Sequence, residues 1–217
     1  MSAKRVDRRH FLGAIAGAAW FVGAPRRAEA TELDDVLAAI TRARASLRTL
    51  VAPFTQVRTI GLLATEVKSD GELTLVAPDR LRWELSPPDA ITYWVTPEGF
   101  AFATPDGGGS IGKAAAGRFA VVLSDLLVLV GGDLSALRAR YDLTVTRHAA
   151  STRLAAAPRD PEIRRQLVRL EMEMGPELWT VQRIGIEEAG GDRSEITFRD
   201  VRRDAPVDAA RMKPPGR

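Results

Sequence analysis

Apolar and polar residues alternate with a period of two through most of this chain. The clearest stretch is Gly71–Leu85, GELTLVAPDRLRWEL. Leu73 and Leu75 alternate with Glu72 and Thr74, and Leu81, Trp83 and Leu85 alternate with Arg80, Arg82 and Glu84. Such spacing gives each strand one apolar and one solvated face. Between the two runs, Ala77-Pro78-Asp79-Arg80 puts proline at the second turn position, where its fixed φ suits a type I or II turn. A β-hairpin is therefore predicted, with Arg80 and Arg82 pointing outward. Strands are also predicted over Val51–Thr59 and Thr65–Val76. Further on, Ile91, Tyr93 and Val95 alternate with polar partners, and Phe100 and Phe102 share one face. Residues 105–112, PDGGGSIG, read as a loop. The last third predicts strands at Tyr141–Arg147, Thr152–Ala157, Gln166–Met174, Leu178–Glu187 and Arg193–Arg202. In the third of these, Val168, Leu170, Met172 and Met174 fall on one face.

Two stretches have helical spacing instead. Over 32–48, Leu33, Val36, Leu37, Ile40, Ala43 and Leu47 form one apolar stripe. Thr31 stands where a cap belongs, with Glu32, Asp34 and Asp35 after it and Arg42, Arg44 and Arg48 toward the end, as the helix dipole favours. Over 116–130 the core FAVVLSDLLVLV is apolar on nearly every side, interrupted only by Ser124 and Asp125. It is too short to span a bilayer, so it is expected to be buried on more than one side. Gly131-Gly132 ends it, and Asp133 is placed to cap a short helix through Arg140. About ten strands in meander order, with an N-terminal helix and one helical insert, predict a mainly β protein with helices (α+β), built on one strongly curved antiparallel sheet.

The first 30 residues stand apart. Arg8-Arg9-His10-Phe11-Leu12 precedes an apolar run rich in Ala and Gly, and Ala28-Glu29-Ala30 offers small residues at a cleavage site. This is the pattern of an export signal cleaved near Ala30, and the arginine pair resembles a twin-arginine signal; the general secretory route is the alternative. Residues 31–217 are then a single domain. The whole chain carries 31 basic and 28 acidic residues. Six of the basic and two of the acidic ones lie in residues 1–30, so the remainder has a net charge of about −1. The high overall pI belongs to the signal, and electrostatic support for nucleic-acid binding disappears. The chain has no cysteine. Neither a disulfide nor an N-terminal lipid anchor on cysteine is possible, and a soluble protein of the periplasm is expected.

Candidate chemistry is sparse. Outside the signal the only histidine is His148, a poor basis for a metal site without cysteine or a second histidine. Ser124-Asp125 lacks a base and reads as a polar helix edge. Gly107 to Lys113 matches G-x-x-x-x-G-K, but Ala114 replaces the Ser or Thr that holds magnesium in a phosphate loop. No catalytic constellation, cofactor site or metal site emerges, and an enzyme is the least favoured class. What remains is apolar surface. Phe54, Trp83, Tyr93, Phe100 and Phe102 are predicted to share one sheet face, as ordinary core or as the wall of a cavity.

Three features together resemble the outer-membrane lipoprotein carrier (LolA) family. Phe54-Thr55-Gln56 follows an N-terminal amphipathic helix. Gly71-x-Leu73-x-x-x-x-Pro78-x-x-Leu81-x-Trp83 comes next. Ile196-Thr197-Phe198 precedes Val207-Asp208-Ala209-Ala210 and Pro214-Pro215-Gly216. The resemblance implies an unclosed antiparallel β-barrel covered by a helical lid. It implies a monomeric periplasmic carrier that takes lipoproteins from an inner-membrane ATP-driven extractor to an outer-membrane receptor. Acyl chains would lie against Phe54, Leu73, Leu75, Leu81, Trp83, Tyr93, Phe100 and Phe102 on the sheet. Phe119, Leu123, Leu126, Leu127 and Val130 would face them from the lid. The family's arginine before the hairpin proline, which holds the lid, is Ala77 here, so the lid is expected to be held differently. Two other readings use the same half-barrel: a carrier in a non-lipoprotein lipid or pigment export system, and an envelope-stress sensor that binds a protein partner. The pathway's lipid-anchored receptor is disfavoured by the missing cysteine.

Overall fold

Every long alternating run of the sequence pairs with its neighbour to make one antiparallel sheet. The structure is a computed structural model describing residues 25–63, 65–112, 117–131 and 134–214. Helix α1 is Pro25–Arg44. Strands β1 to β6 follow at Thr49–Ile60, Thr65–Val76, Arg80–Leu85, Ile91–Thr96, Gly99–Thr104 and Gly107–Gly112. Helix α2, Gly117–Gly131, and a 3₁₀ turn, Leu134–Ala139, lead into β7 (Tyr141–Arg147) and β8 (Thr152–Pro158). A short helix α3 (Pro161–Arg164) precedes β9 (Leu167–Met174), β10 (Val181–Glu188), β11 (Arg193–Phe198) and β12 (Arg202–Arg203). The order across the sheet is β6-β5-β4-β3-β2-β1-β11-β10-β9-β8-β7, with β12 beside the start of β1. Strands β6 and β7 are not paired to each other, so the sheet is not closed into a barrel.

Hairpin connections explain this order. Apart from β7 and β12, each strand folds back on the one before it, and the chain passes from one edge of the sheet to the other once, from β6 through α2 to β7. The first and last halves then meet where β1 pairs with β11, Phe54 opposite Phe198. Pro53, which has no N–H to give, sits where β1 changes partner from β12 to β11. Its carbonyl accepts from the Arg199 N–H at 2.8 Å.

Several expectations need correction. Residues 107–112 are not a loop but edge strand β6, paired with β5 from Gly99↔Gly112 to Thr104↔Gly107; a two-residue turn lets even a glycine run complete the ladder. Helix α1 starts at Pro25, because Arg26–Ala30 are good helix formers. Glu32, Asp34 and Asp35 therefore lie well inside the helix rather than in its first turn, and it ends at Arg44 rather than near residue 48. Val168 is exposed, unlike Leu170, Met172 and Met174. Glu187 pairs with Arg169 but Glu188 pairs with Leu167, so Val168 is the extra residue of a bulge. The Ala77–Pro78 bond is cis where a trans turn is expected. The expected capping residue Asp133, and the expected export signal up to residue 24, lie outside the described residues.

The concave face is lined by Leu50, Leu75, Leu81, Val95 and Phe100 in one cross-strand row, and by Ala52, Leu73, Trp83, Tyr93 and Phe102 in the next. The convex face is covered over β1–β4. The segment 204–213 crosses it as a strap: Met212 is buried, the Trp94 indole donates to the Arg211 carbonyl at 2.9 Å, and Arg211 pairs with Glu72 and Glu84. Beneath it Arg82 pairs with Glu84 and lies over the Trp94 ring. Arg82 does point outward, as alternation requires, but the strap buries it.

Gly71 shows how tightly the concave face packs. The Phe54 ring lies over it, and a Cβ there would stand 2.4 Å from Phe54 Cζ and 2.2 Å from the Glu84 carbonyl oxygen. Gly71→Ala is expected to cost about 1–3 kcal/mol through forced displacement. Urea unfolding measures this, and an unchanged midpoint would show that the sheet yields freely at this point.

Candidate functional site

The concave face and α2 form one continuous apolar cluster. From the sheet come Phe54, Leu73, Leu75, Leu81, Trp83 and Phe100, all buried, with Tyr93 and Phe102 partly buried. The aromatic rings touch one another. Phe54 and Trp83 have centroids 4.3 Å apart, Phe198 meets both edge-on at 6.0 and 6.4 Å, and Tyr93 stacks on Phe100 at 5.8 Å. From α2 come Leu126 and Val130, both buried, and Leu127, partly buried. Phe119 and Leu123 fall in α2, but their side chains lie outside the described residues. All the other residues expected to line the site are therefore on this surface. The sequence reading missed Leu129, which is buried on α2, and Phe198, Met172, Met174 and Ile184 from the second half of the sheet. Their alternation was visible, but only the pairing of β1 with β11 brings the two halves onto one face.

Helix α2 is drawn onto the sheet by close packing and by two polar ties. At its C-terminal end Gly131 lies against Leu75; a Cβ on it would come 2.2 Å from Leu75 Cδ2. The first tie is Arg44, the last residue of α1. Its guanidinium donates to the Leu129 carbonyl at 2.8 Å and lies 3.7 and 4.0 Å from the sulfurs of Met172 and Met174. A helix leaves its last carbonyls without partners, and Arg44 satisfies one of them from another element. Only 5 % of Arg44 is exposed, its Nε has no partner among the described residues, and burial pulls its pKa down to about 10. This cation is enclosed by thioethers, an aliphatic core and one carbonyl. Its position was legible after all: Leu37, Ile40, Arg44 and Leu47 follow helical spacing, which sets Arg44 on the apolar stripe rather than on a solvated end.

The second tie corrects another expectation. Asp125 is not a polar edge but is fully buried. It accepts hydrogen bonds from the Tyr141 hydroxyl of β7 and from the Arg140 guanidinium. Burial raises the Asp125 pKa against the opposing pull of these partners, and burial together with Asp125 raises that of Tyr141. Ala77, at the expected position of an arginine, makes no such tie; its N–H donates to the Arg48 carbonyl at 2.9 Å.

Among the described residues no three His, Cys, Asp or Glu side chains are placed to hold a metal ion. No helix among them is long and apolar enough to cross a membrane. His148 is exposed at the end of β7. The phosphate-loop-like glycines are the edge strand β6, with extended pairing in place of a cradle; Lys113 lies outside the described residues.

The family model for "Outer membrane lipoprotein carrier protein LolA" matches residues 45–214. No curated protein matches the sequence. Among solved structures, a DUF1329 family protein from Desulfovibrio piger superposes with a TM-score of 0.53 at 10 % identity, over 85 % of this chain and 97 % of that one. An uncharacterized conserved protein from Thermus thermophilus gives 0.53 at 9 %, over 85 % and 94 %. A LolA superfamily protein from Nitrosomonas europaea gives 0.46 at 8 %, over 83 % and 96 %. At these identities the likeness to the first two concerns the fold alone.

The buried carboxylate yields a test with a definite sign. Because burial raises the folded-state pKa of Asp125, the stability this group contributes is present below its unfolded value, near 3.9, and is lost as pH rises through the raised value. Asp125→Asn stays neutral and keeps an acceptor for Tyr141. It should be at least as stable as the parent at pH 7, with the difference closing as pH falls toward about 4. Urea unfolding across that range checks this. A variant destabilised at pH 7 that recovers in acid would mean that the Arg140 pairing outweighs burial.

Proposed function

This chain belongs to the outer membrane lipoprotein carrier protein LolA family, and we propose that it is a periplasmic carrier that holds acyl chains between the concave sheet face and α2. In this reading it receives lipoproteins, or related lipids, from an inner-membrane ATP-driven extractor and delivers them to an outer-membrane receptor. One observation carries the proposal: the concave face is apolar from β5 across to β8, and the helix over it is a separate element held at named polar contacts. The lining residues are the concave-face set named above, Phe54 to Phe102, with Leu126, Leu127 and Val130 opposite; Phe119 and Leu123 belong to the same helix. None of these contacts needs a catalytic group, which fits a binding protein rather than an enzyme.

The physics of a carrier requires reversible binding. Burying an acyl chain is worth roughly 0.8 kcal/mol per CH₂, so one long chain gains on the order of 10 kcal/mol and two or three in an empty preformed cavity would not leave. Here the apolar face is already covered. Leu126, Leu129 and Val130 are buried against it, and full burial of such side chains is worth about 1.5–3 kcal/mol each. A cargo must displace contacts of comparable total worth. The Arg44–Leu129 hydrogen bond adds to the closed state alone, so it lowers the apparent affinity for anything that needs α2 moved.

Two substitutions should move lipid uptake in opposite directions. Arg44→Ala removes the tie and leaves a void and an unpaired Leu129 carbonyl in the closed state; uptake of a fluorescent fatty acid should become about tenfold tighter. Leu126→Glu places a carboxylate on the buried face of α2 and should weaken uptake. Equal affinity in both variants and the parent would refute a lipid site beneath α2.

A further inference from the structure

We propose that a groove on the convex face, between the turn end of the β2–β3 hairpin and the C-terminal strap, is a second binding site, one for the anion of a single-chain fatty acid. The groove encloses about 510 Å³, within the range of small-molecule sites. Its apolar surface comes from Val76 at the end of β2 and from Val207 and Met212 of the strap. Its charge comes from Arg48, Arg80 and Lys213. It lies across the sheet from the concave face, since Val76 is next to Leu75, whose side chain points the other way.

The charges are not matched within the protein. Neither the Arg48 nor the Lys213 side chain meets a carboxylate among the described residues, and Arg80 has only the exposed Glu98 at 3.6 Å. The one acid in the lining, Asp204, is already engaged. Its carboxylate accepts from the backbone N–H groups of Arg48 at 2.8 Å and Thr49 at 3.4 Å and pairs with Arg203 at 3.3 Å. These bonds hold its pKa below the usual carboxylate range, the Arg48 N–H contributing most. An anion is therefore the complement the groove lacks, and an apolar tail is the complement of its floor.

Backbone pairing favours an amphiphile over a peptide strand. Ala77 N–H donates to the Arg48 carbonyl at 2.9 Å and Asp204 N–H to the Thr49 carbonyl at 2.8 Å. Thr49 is also in register with Val76 in the β1–β2 ladder. The strand ends beside the groove are thus engaged with one another, and an extended peptide would find no open edge there. A fatty-acid anion needs none: its tail covers Val76, Val207 and Met212, and its carboxylate meets the cations.

The methionines make the test direct. Met172 and Met174 report on the concave face beside Arg44, and Met212 reports on the groove. The purified protein, labelled with ¹³C at the methionine methyls, is titrated with decanoate and separately with decanol, and methyl NMR shifts are followed. The Met212 methyl should shift saturably with decanoate. Its apparent affinity should fall about tenfold with decanol and in the double variant Arg48→Glu/Lys213→Glu, through loss of charged hydrogen bonds. Both substituted side chains are exposed, so the variant should fold. If only Met172 and Met174 shift, fatty acid enters the concave site alone; the groove proposal falls and the carrier reading stands. A Met212 shift of equal affinity with decanol, or in the double variant, overturns the anion site. If no methyl responds, both readings fail.

Discussion

A curved sheet with one apolar face has to cover that face, and much else in this structure follows from how it does so. The concave surface carries one continuous apolar cluster from β5 to β8. The sheet does not close, so its own strands cannot complete the cover. Two helices do so instead. Helix α1 brings Val36, Leu37 and Ile40, while α2 brings Leu126, Leu129 and Val130. A cover made from separate helices can be exchanged for something else apolar, which a closed barrel wall cannot be.

The polar ties set the terms of that exchange. Arg44 is costly to bury, as its lowered pKa records, and a buried charge satisfied by one carbonyl and two thioethers is a poor source of net stability. Asp125 is likewise held against the cost of burial. Such groups give direction rather than strength: they fix where α2 sits, while the aliphatic contacts supply most of the adhesion. Both act on the C-terminal half of α2, where Gly131 also lets the helix approach Leu75.

Local pattern carried most of the fold into view. The alternation of Leu73, Leu75, Leu81 and Trp83 located the central hairpin, and the apolar stretch around Leu126 located the covering helix, because both depend on periodicity within a few residues. The misses depended on distant partners. Edge strand β6 was hidden because glycine has no side chain to alternate and forms a strand only once β5 is beside it. Asp125 read as a solvated edge because its partners, Arg140 and Tyr141, come from the other side of the crossover. Arg82 read as solvated because the strap that buries it lies more than 100 residues later. Among the site residues, the first half of the sheet was legible and the second half was not; Phe198 and Met172 join the face only through the β1–β11 pairing. Ala77 supplies no arginine to α2; Arg44 of α1 donates to its Leu129 carbonyl instead.

That the concave face is a place for lipid rather than a permanently closed core is tested by native mass spectrometry of the protein purified without detergent. A bound acylated species of discrete mass, released when an outer-membrane receptor is added, is the expected result. A protein that is empty as isolated, and stays empty when lipids are offered, would contradict it; the aromatic cluster would then be ordinary core.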